Sequence, residues 1–198
     1  IVMSRDCDEM IEIYDIKGNL IKKFGDSKFQ TKICSLYDNY LDKTYIISLK
    51  HKKLTSYDFN SGEIFRTYDK IEKFKHILTY HSILVICEKD LTKLIAIDCY
   101  YINIWNFYSG QKIKKINIDF GKYSYSKSVC LWNNKCLFMI YNPSCASDAG
   151  KENNSIFLVD IEKGTIKKNI MTLKKFYLFF ISKFIHPIYG ECLMTFGY

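Results

Sequence analysis

Arginine is almost absent from this chain of 198 residues, where Arg5 and Arg66 stand beside 27 lysines. Bidentate guanidinium forks read guanine edges, clamp phosphates and gather phosphopeptides, so this skew argues against mechanisms built on them. Alanine is nearly as scarce, with 3 residues, whereas 28 are Ile and 32 are aromatic. Side chains branched at Cβ or carrying rings lose rotamer freedom against a helical turn and pack well on a pleated sheet, so an all-β chain is expected. Long apolar runs are also lacking. The longest, residues 176–182 (FYLFFIS), falls far short of the roughly 20 residues of a membrane-spanning helix, and no transmembrane segment is expected. Charged residues at 25% and apolar ones at 48% are the mix of an ordinary globular chain, to which disorder, collagen and coiled coil are poor fits.

The familiar catalytic motifs are missing as well: there is no GxxxxGK[ST], GxGxxG, HExxH or GxSxG. The histidines His51, His76, His81 and His186 do not cluster, and Asp6-Cys7-Asp8-Glu9 lacks the further ligands and Gly of a calcium loop. No catalytic residue, cofactor or metal is assigned. The 8 cysteines include no CxxC pair, and several lie inside apolar runs where a reduced thiol acts as a small hydrophobe. That usage points to a reducing compartment, taken as the cytoplasm. The glycosylation pattern at Asn153-Asn154-Ser155 is then a chance match.

What the chain does have is a repeat. Four segments share one layout: residues 11–24 (IEIYDIKGNLIKKF), 54–68 (LTSYDFNSGEIFRTY), 102–116 (INIWNFYSGQKIKKI) and 156–170 (IFLVDIEKGTIKKNI). Each reads as an alternating strand, a polar anchor (Asp15, Asp58, Asn106, Asp160), a short turn closed by Gly, and a Lys- or Arg-bearing return strand. Asp and Asn hydrogen-bond their own following backbone and Gly accepts positive φ without steric cost, so each copy is a β-hairpin. Two further strand-like runs precede most copies, giving four strands per repeat.

A repeat of about 40 to 50 residues with four antiparallel strands resembles the WD-repeat β-propeller family. The match is best over residues 81–110, where His81 falls at the family's Gly-His position and Trp105-Asn106 at its Trp-Asp position, with Cys99-Tyr100 in place of the turn Asp. The resemblance implies an incomplete propeller of four-stranded antiparallel blades: three full blades at about 30–68, 81–118 and 126–170, and blade remnants at 1–29 and 171–198. Both ends stop within a blade, so the rest of the ring is expected in an uncut, longer chain.

The net charge of +8 raises nucleic acid or an anionic membrane as partners, since Lys neutralises phosphate. However, seven lysines (Lys22, Lys23, Lys112, Lys114, Lys115, Lys167, Lys168) and Arg66 fall in fourth strands, where a blade is outermost and Lys discourages edge pairing. Nucleic acid is therefore disfavoured as a partner. The segment 121–128 (GKYSYSKS) reads either as a loop whose Lys and Tyr contact bases or an acidic peptide, or as a strand entrance with packed tyrosines. Residues 142–154 (NPSCASDAGKENN) read as an inserted loop, and 69–80 as a helix, an extended strand or a coil. The resemblance places turns between second and third strands on the face where partners dock. Lys52, Lys53, Tyr100, Tyr101, Lys122, Tyr123, Tyr125, Asn142 and Lys151 are accordingly the candidate partner-binding residues. The expected role is a non-catalytic scaffold for other proteins. The alternatives are a Lys/Tyr-based nucleic-acid or membrane binder, and an enzyme-type propeller with its active residues elsewhere.

Overall fold

In a computed structural model of the protein, the described residues are 2–4, 11–24, 30–50, 53–68, 82–87, 91–97, 101–118, 124–133, 135–143, 154–173 and 178–197. Among them all regular structure is β, in five separate sheets whose strands are neighbours in chain order. The first sheet holds β1 (Val2–Ser4), β2 (Ile11–Tyr14) and β3 (Leu20–Phe24). The second holds β4 (Gln30–Asp38), β5 (Lys43–Lys50), β6 (Lys53–Asp58) and β7 (Ile64–Thr67). The third holds β8 (Ser82–Ile86), β9 (Lys93–Ile97), β10 (Tyr101–Asn106) and β11 (Lys112–Asn117), and the fourth β12 (Ser124–Asn133), β13 (Cys136–Pro143), β14 (Asn154–Asp160) and β15 (Thr165–Leu173). A two-stranded sheet of β16 (Leu178–His186) and β17 (Gly190–Gly197) is the fifth. The all-β class and the four-stranded antiparallel sheets expected from the sequence are thus present.

Strand position in a sheet follows composition. The second strands β5, β9 and β13 carry near-continuous apolar runs that are buried over residues 45–49, 94–97 and 136–140, as strands covered on both faces must be. In the last-position strands β7 and β11, exposed and half-buried residues alternate instead, the pattern of a strand with one solvated face.

The chain divides into two compact units, Ile1–Ile95 with Ile104–Ile113, and Ala96–Asn103 with Lys114–Tyr198. Within the first, Ile11 and Ile13 of the first sheet pack with Ile46 and Tyr57 of the second, flanked by Ile33 and Phe59. An aromatic group extends this core: Tyr45 and Phe65 lie 5.1 and 5.7 Å from the Phe107 ring, and Tyr68 lies 6.2 Å from Trp105. The buried Tyr68 hydroxyl donates to the Phe107 carbonyl at 2.9 Å. Within the second unit, Cys130, Phe138, Ile140 and Ile156 of the fourth sheet close on Ile181 of β16.

The hairpins between third and fourth strands carry the repeat's chemistry. Asp15 Oδ1 accepts from the Lys17 and Asn19 N–H, Asp58 Oδ1 from Asn60 and Ser61, Asn106 Oδ1 from Ser109, and Asp160 Oδ1 from Lys163, all at 2.8–2.9 Å. The chain then turns through Gly18, Gly62, Gly110 and Gly164, every one at φ between 74° and 86°.

One open sequence reading is decided and another is corrected. Residues 124–128 belong to β12, which is the strand-entrance reading and not the loop, because Ser124 and Tyr125 pair with Pro143 and Asn142 of β13. For the same reason Asn142 and Pro143 are strand, and Asn154 opens β14, so the inserted segment between them is shorter than its breaker residues imply. The segment 69–80 and His81 lie outside the described residues.

Candidate partner-binding surfaces

Seven cations of the fourth strands, Lys22, Lys23, Arg66, Lys112, Lys114, Lys115 and Lys167, make contacts within the protein. Lys22 of β3 donates its Nζ to the Asn60 carbonyl in the next sheet's turn, and Lys114 of β11 does the same to the Glu162 carbonyl. Between these two copies, the stem of Arg66 in β7 lies against Gly110, such that a Cβ there would meet Arg66 Cδ at 3.0 Å. All three cations stand four residues after the turn glycine of their own hairpin. A cation at this register thus reaches from one sheet's outer strand to the next sheet's turn in all three copies, through a carbonyl bond at Lys22 and Lys114 and through the side-chain stem at Arg66. Four further cations of these strands are held within their own sheets. Lys23 pairs with the buried Glu12 at 3.2 Å, Lys167 pairs with Asp160 at 3.2 Å, Lys112 lies 5.5 Å above the Trp105 ring, and Lys115 lies 3.9 Å above Tyr101.

At the sheet ends that carry second-to-third connections, four of the expected contact residues are described. Lys53 opens β6 opposite Lys50. Tyr101 opens β10, half-buried, with its ring face taken by Lys115. Tyr125 and Asn142 are direct cross-strand neighbours on β12 and β13, the one pair that the structure brings together. Lys52, Tyr100, Lys122, Tyr123 and Lys151 lie outside the described residues.

The opposite sheet ends hold features that the repeat did not announce. Trp132, near the end of β12, stacks edge-on to Phe138 at 5.2 Å. Above its indole, 5.0 Å from the centroid, sits the Nζ of Lys183, which also donates to the Trp132 carbonyl at 3.0 Å and pairs with Glu191. Leu131, Trp132, Asn133, Lys135 and Lys183 line an open cleft of about 540 Å³. A sequence signal existed: Trp132 is one of 2 tryptophans and does not stand at the anchor position that explains Trp105. A second cleft, of about 460 Å³, lies between Lys43, the Asp58 turn and Phe65. The Ser61 N–H, with further donors and Lys43, holds the Asp58 carboxyl below its ordinary range. Asp38, buried at the end of β4, satisfies one oxygen through the Tyr40 and Leu41 N–H groups while its other oxygen has no partner.

Indole, cation and amide groups on a shallow cleft are the means by which a surface holds a peptide segment with aromatic or acidic side chains. Among the described residues no group of three or more metal-ligating side chains is found, and no helix is long and apolar enough to cross a membrane.

No family model matches the chain, and no curated protein matches it. Among solved structures, a chain of the hydrazine synthase of Kuenenia stuttgartiensis is similar, with a TM-score of 0.64 and 13% identical residues over 89% of this chain and 47% of that one. This chain thus spans about half the length of that protein chain. At such identity the likeness concerns the fold alone, and no side-chain role carries over.

Proposed function

We propose that the chain forms part of a WD-repeat-like β-propeller that serves as a rigid, non-catalytic platform for other proteins in a reducing compartment. The observation that carries this reading is the recurring outer-strand cation that reaches the following sheet's turn, at Lys22, Arg66 and Lys114. A contact repeated between successive, equivalent sheets fits an array in which each repeat buries its face on its neighbour. Such an array offers a fixed surface, and the Trp132–Lys183 cleft supplies an anchor on it. The charged outer strands do not favour a nucleic-acid reading, since Lys22, Lys23, Arg66, Lys112, Lys114, Lys115 and Lys167 already have contacts within the protein.

The test compares partner recovery by cross-linking pull-down for the native chain, Trp132→Ala with Lys183→Ala, and Lys53→Ala with Tyr101→Ala. Loss of the same recovered proteins in one of the double variants, with circular dichroism unchanged, is the expected result. Recovery unchanged in both, or replaced by nucleic acid that salt removes, would overturn the reading.

A further inference from the structure

Trp132 is an extra residue in its strand. Asp58 lies opposite Tyr45 and Asp160 opposite Cys136, which makes Tyr45 and Cys136 equivalent positions of β5 and β13. In the second sheet Ile46 and Tyr45 face Ser35 and Leu36, neighbours in β4. In the fourth, Leu137 and Cys136 face Leu131 and Asn133, and Trp132 between them is left out of the register. Such a bulge re-aims a side chain without ending the sheet. What it delivers here is a half-buried indole to the wall of the cleft, beside Leu131.

The cleft is also basic. Among the described residues its lining contains two lysines, Lys135 and Lys183, and no acid. Each has taken a carboxylate from outside the lining: Lys135 lies 3.3 Å from Glu162, and Lys183 pairs with Glu191. The first pair is open to solvent, with side chains 65% and 50% exposed, and a pair so placed contributes little and is readily exchanged. Lys114 adds positive charge beside it, since its Nζ is bound to the Glu162 carbonyl. Lys183 sits above the Trp132 ring and Phe138 meets that ring edge-on, so a ring face on which a nucleic-acid base would stack is already taken.

We propose that this cleft takes an acidic peptide segment of a partner protein, with an apolar side chain against Leu131 and Trp132 and carboxylates on Lys135 and Lys183 in place of Glu162 and Glu191. The chain's own glutamates mark the group that these ammonium ions accept, and a partner's carboxylates compete for the same donors. The net charge of +8 draws such a segment in. This inference rests on the platform reading, whose anchor it supplies with a ligand class.

The test is fluorescence anisotropy with the full chain and a fluorescein-labelled peptide, GELEFELEG, against GQLQFQLQG, in which the carboxylates become amides. The acidic peptide should bind about tenfold more tightly, as two exposed ion pairs permit. Glu162→Gln frees Lys135 and should tighten the acidic peptide by about threefold, whereas Glu63→Gln, the same change of charge in the other unit, should leave it unchanged. A purely structural Glu162 would not give that gain. Trp132→Ala should abolish binding. Lys135→Gln, at an exposed position, should weaken it by about threefold and serves if the Trp132 variant fails to fold, as judged by Trp105 emission. Equal affinity for the two peptides, no gain from Glu162→Gln, an equal gain from Glu63→Gln, or tighter binding of an oligothymidylate that the same variants abolish would each overturn the proposal. If the acidic peptide fails to bind while Trp132→Ala with Lys183→Ala still loses its partners in the pull-down, the ligand class is wrong and the platform reading stands.

Discussion

If Arg66 holds the next turn in place, Gly110→Ala should cost more than the same change at Gly18, and by an amount that Arg66 controls. Both glycines lie in the first unit at left-handed φ, 74° for Gly110 and 86° for Gly18, where a Cβ costs roughly 1–2 kcal/mol. Their surroundings differ. A Cβ on Gly18 meets nothing within 4 Å, while one on Gly110 meets Arg66 Cδ at 3.0 Å and Cγ at 3.3 Å. Gly18→Ala therefore reads the backbone alone, about 1 kcal/mol. Gly110→Ala adds the displacement of Arg66. That side chain is exposed and swings aside more easily than a packed core yields, so the addition is about 0.5–1 kcal/mol, at the lower end of overpacking costs. Combining Gly110→Ala with Arg66→Ala should return the glycine substitution to its Gly18 value, a coupling of the size usual for touching residues. Urea unfolding followed by the emission of Trp105, fully buried in the same unit, measures all four variants in a Trp132→Phe background. Equal losses at the two glycines, or strict additivity with Arg66→Ala, would refute the idea that the outer-strand cation and the turn are mechanically joined.

Three more outcomes follow from the same geometry. The Asp58 and Asp160 carboxyls are held below their ordinary 3.8, chiefly by the Ser61 and Lys163 N–H groups; a folded value below the unfolded one stabilises above about pH 4 and is lost as pH falls through it. Asp58→Asn with Asp160→Asn, which copies the Asn106 turn, should thus flatten the fall in urea midpoint below pH 4, and an unchanged acid limb would count against the turn contacts. Burial pushes the Cys34 thiol up to about 12, so it should stay unlabelled by a disulfide reagent at pH 8 until the chain unfolds, and its contribution to stability should decline as pH rises from about 9; rapid native labelling at Cys34 would contradict its packing. Because seven outer-strand cations already make contacts within the protein, binding to single-stranded nucleic acid should show a salt slope of about 1–2 phosphates, and a slope of six or more would show that the cations are free to track a backbone.

The hairpins were legible because their signals are local. Asp15, Asp58, Asn106 and Asp160 bind N–H groups two to four residues on, and the glycines close the same turns. The targets of the cations were not legible, since Lys22 and Asn60 are 38 residues apart and Lys114 and Glu162 are 48 apart. Likewise Lys183 reaches Trp132 across 51 residues, so the cleft arises from packing that no short motif encodes. Around Asn142 and Pro143 local composition misled: Asn and Pro read as breakers, yet pairing of β12 with β13 carries the strand past them. Reading the outer-strand lysines as edge protection found their place but not their contacts.

Those contacts also give the chain's scarce arginine and net charge of +8 a common account. An outer strand that must reach a single carbonyl in the following turn needs one donor on a long flexible stem, which Lys provides; a planar fork with five donors offers nothing extra there. The one copy that uses Arg bears this out, because Arg66 meets Gly110 through its Cγ and Cδ methylenes rather than through its guanidinium, which lies instead over the Phe65 ring at 5.6 Å. A charge that would read as affinity for polyanions is, at Lys22, Lys23, Lys114 and Lys167, spent on carbonyls and carboxylates of the protein itself. At Lys22 and Lys114 this register is therefore a joint between sheets as well as a guard on their edges.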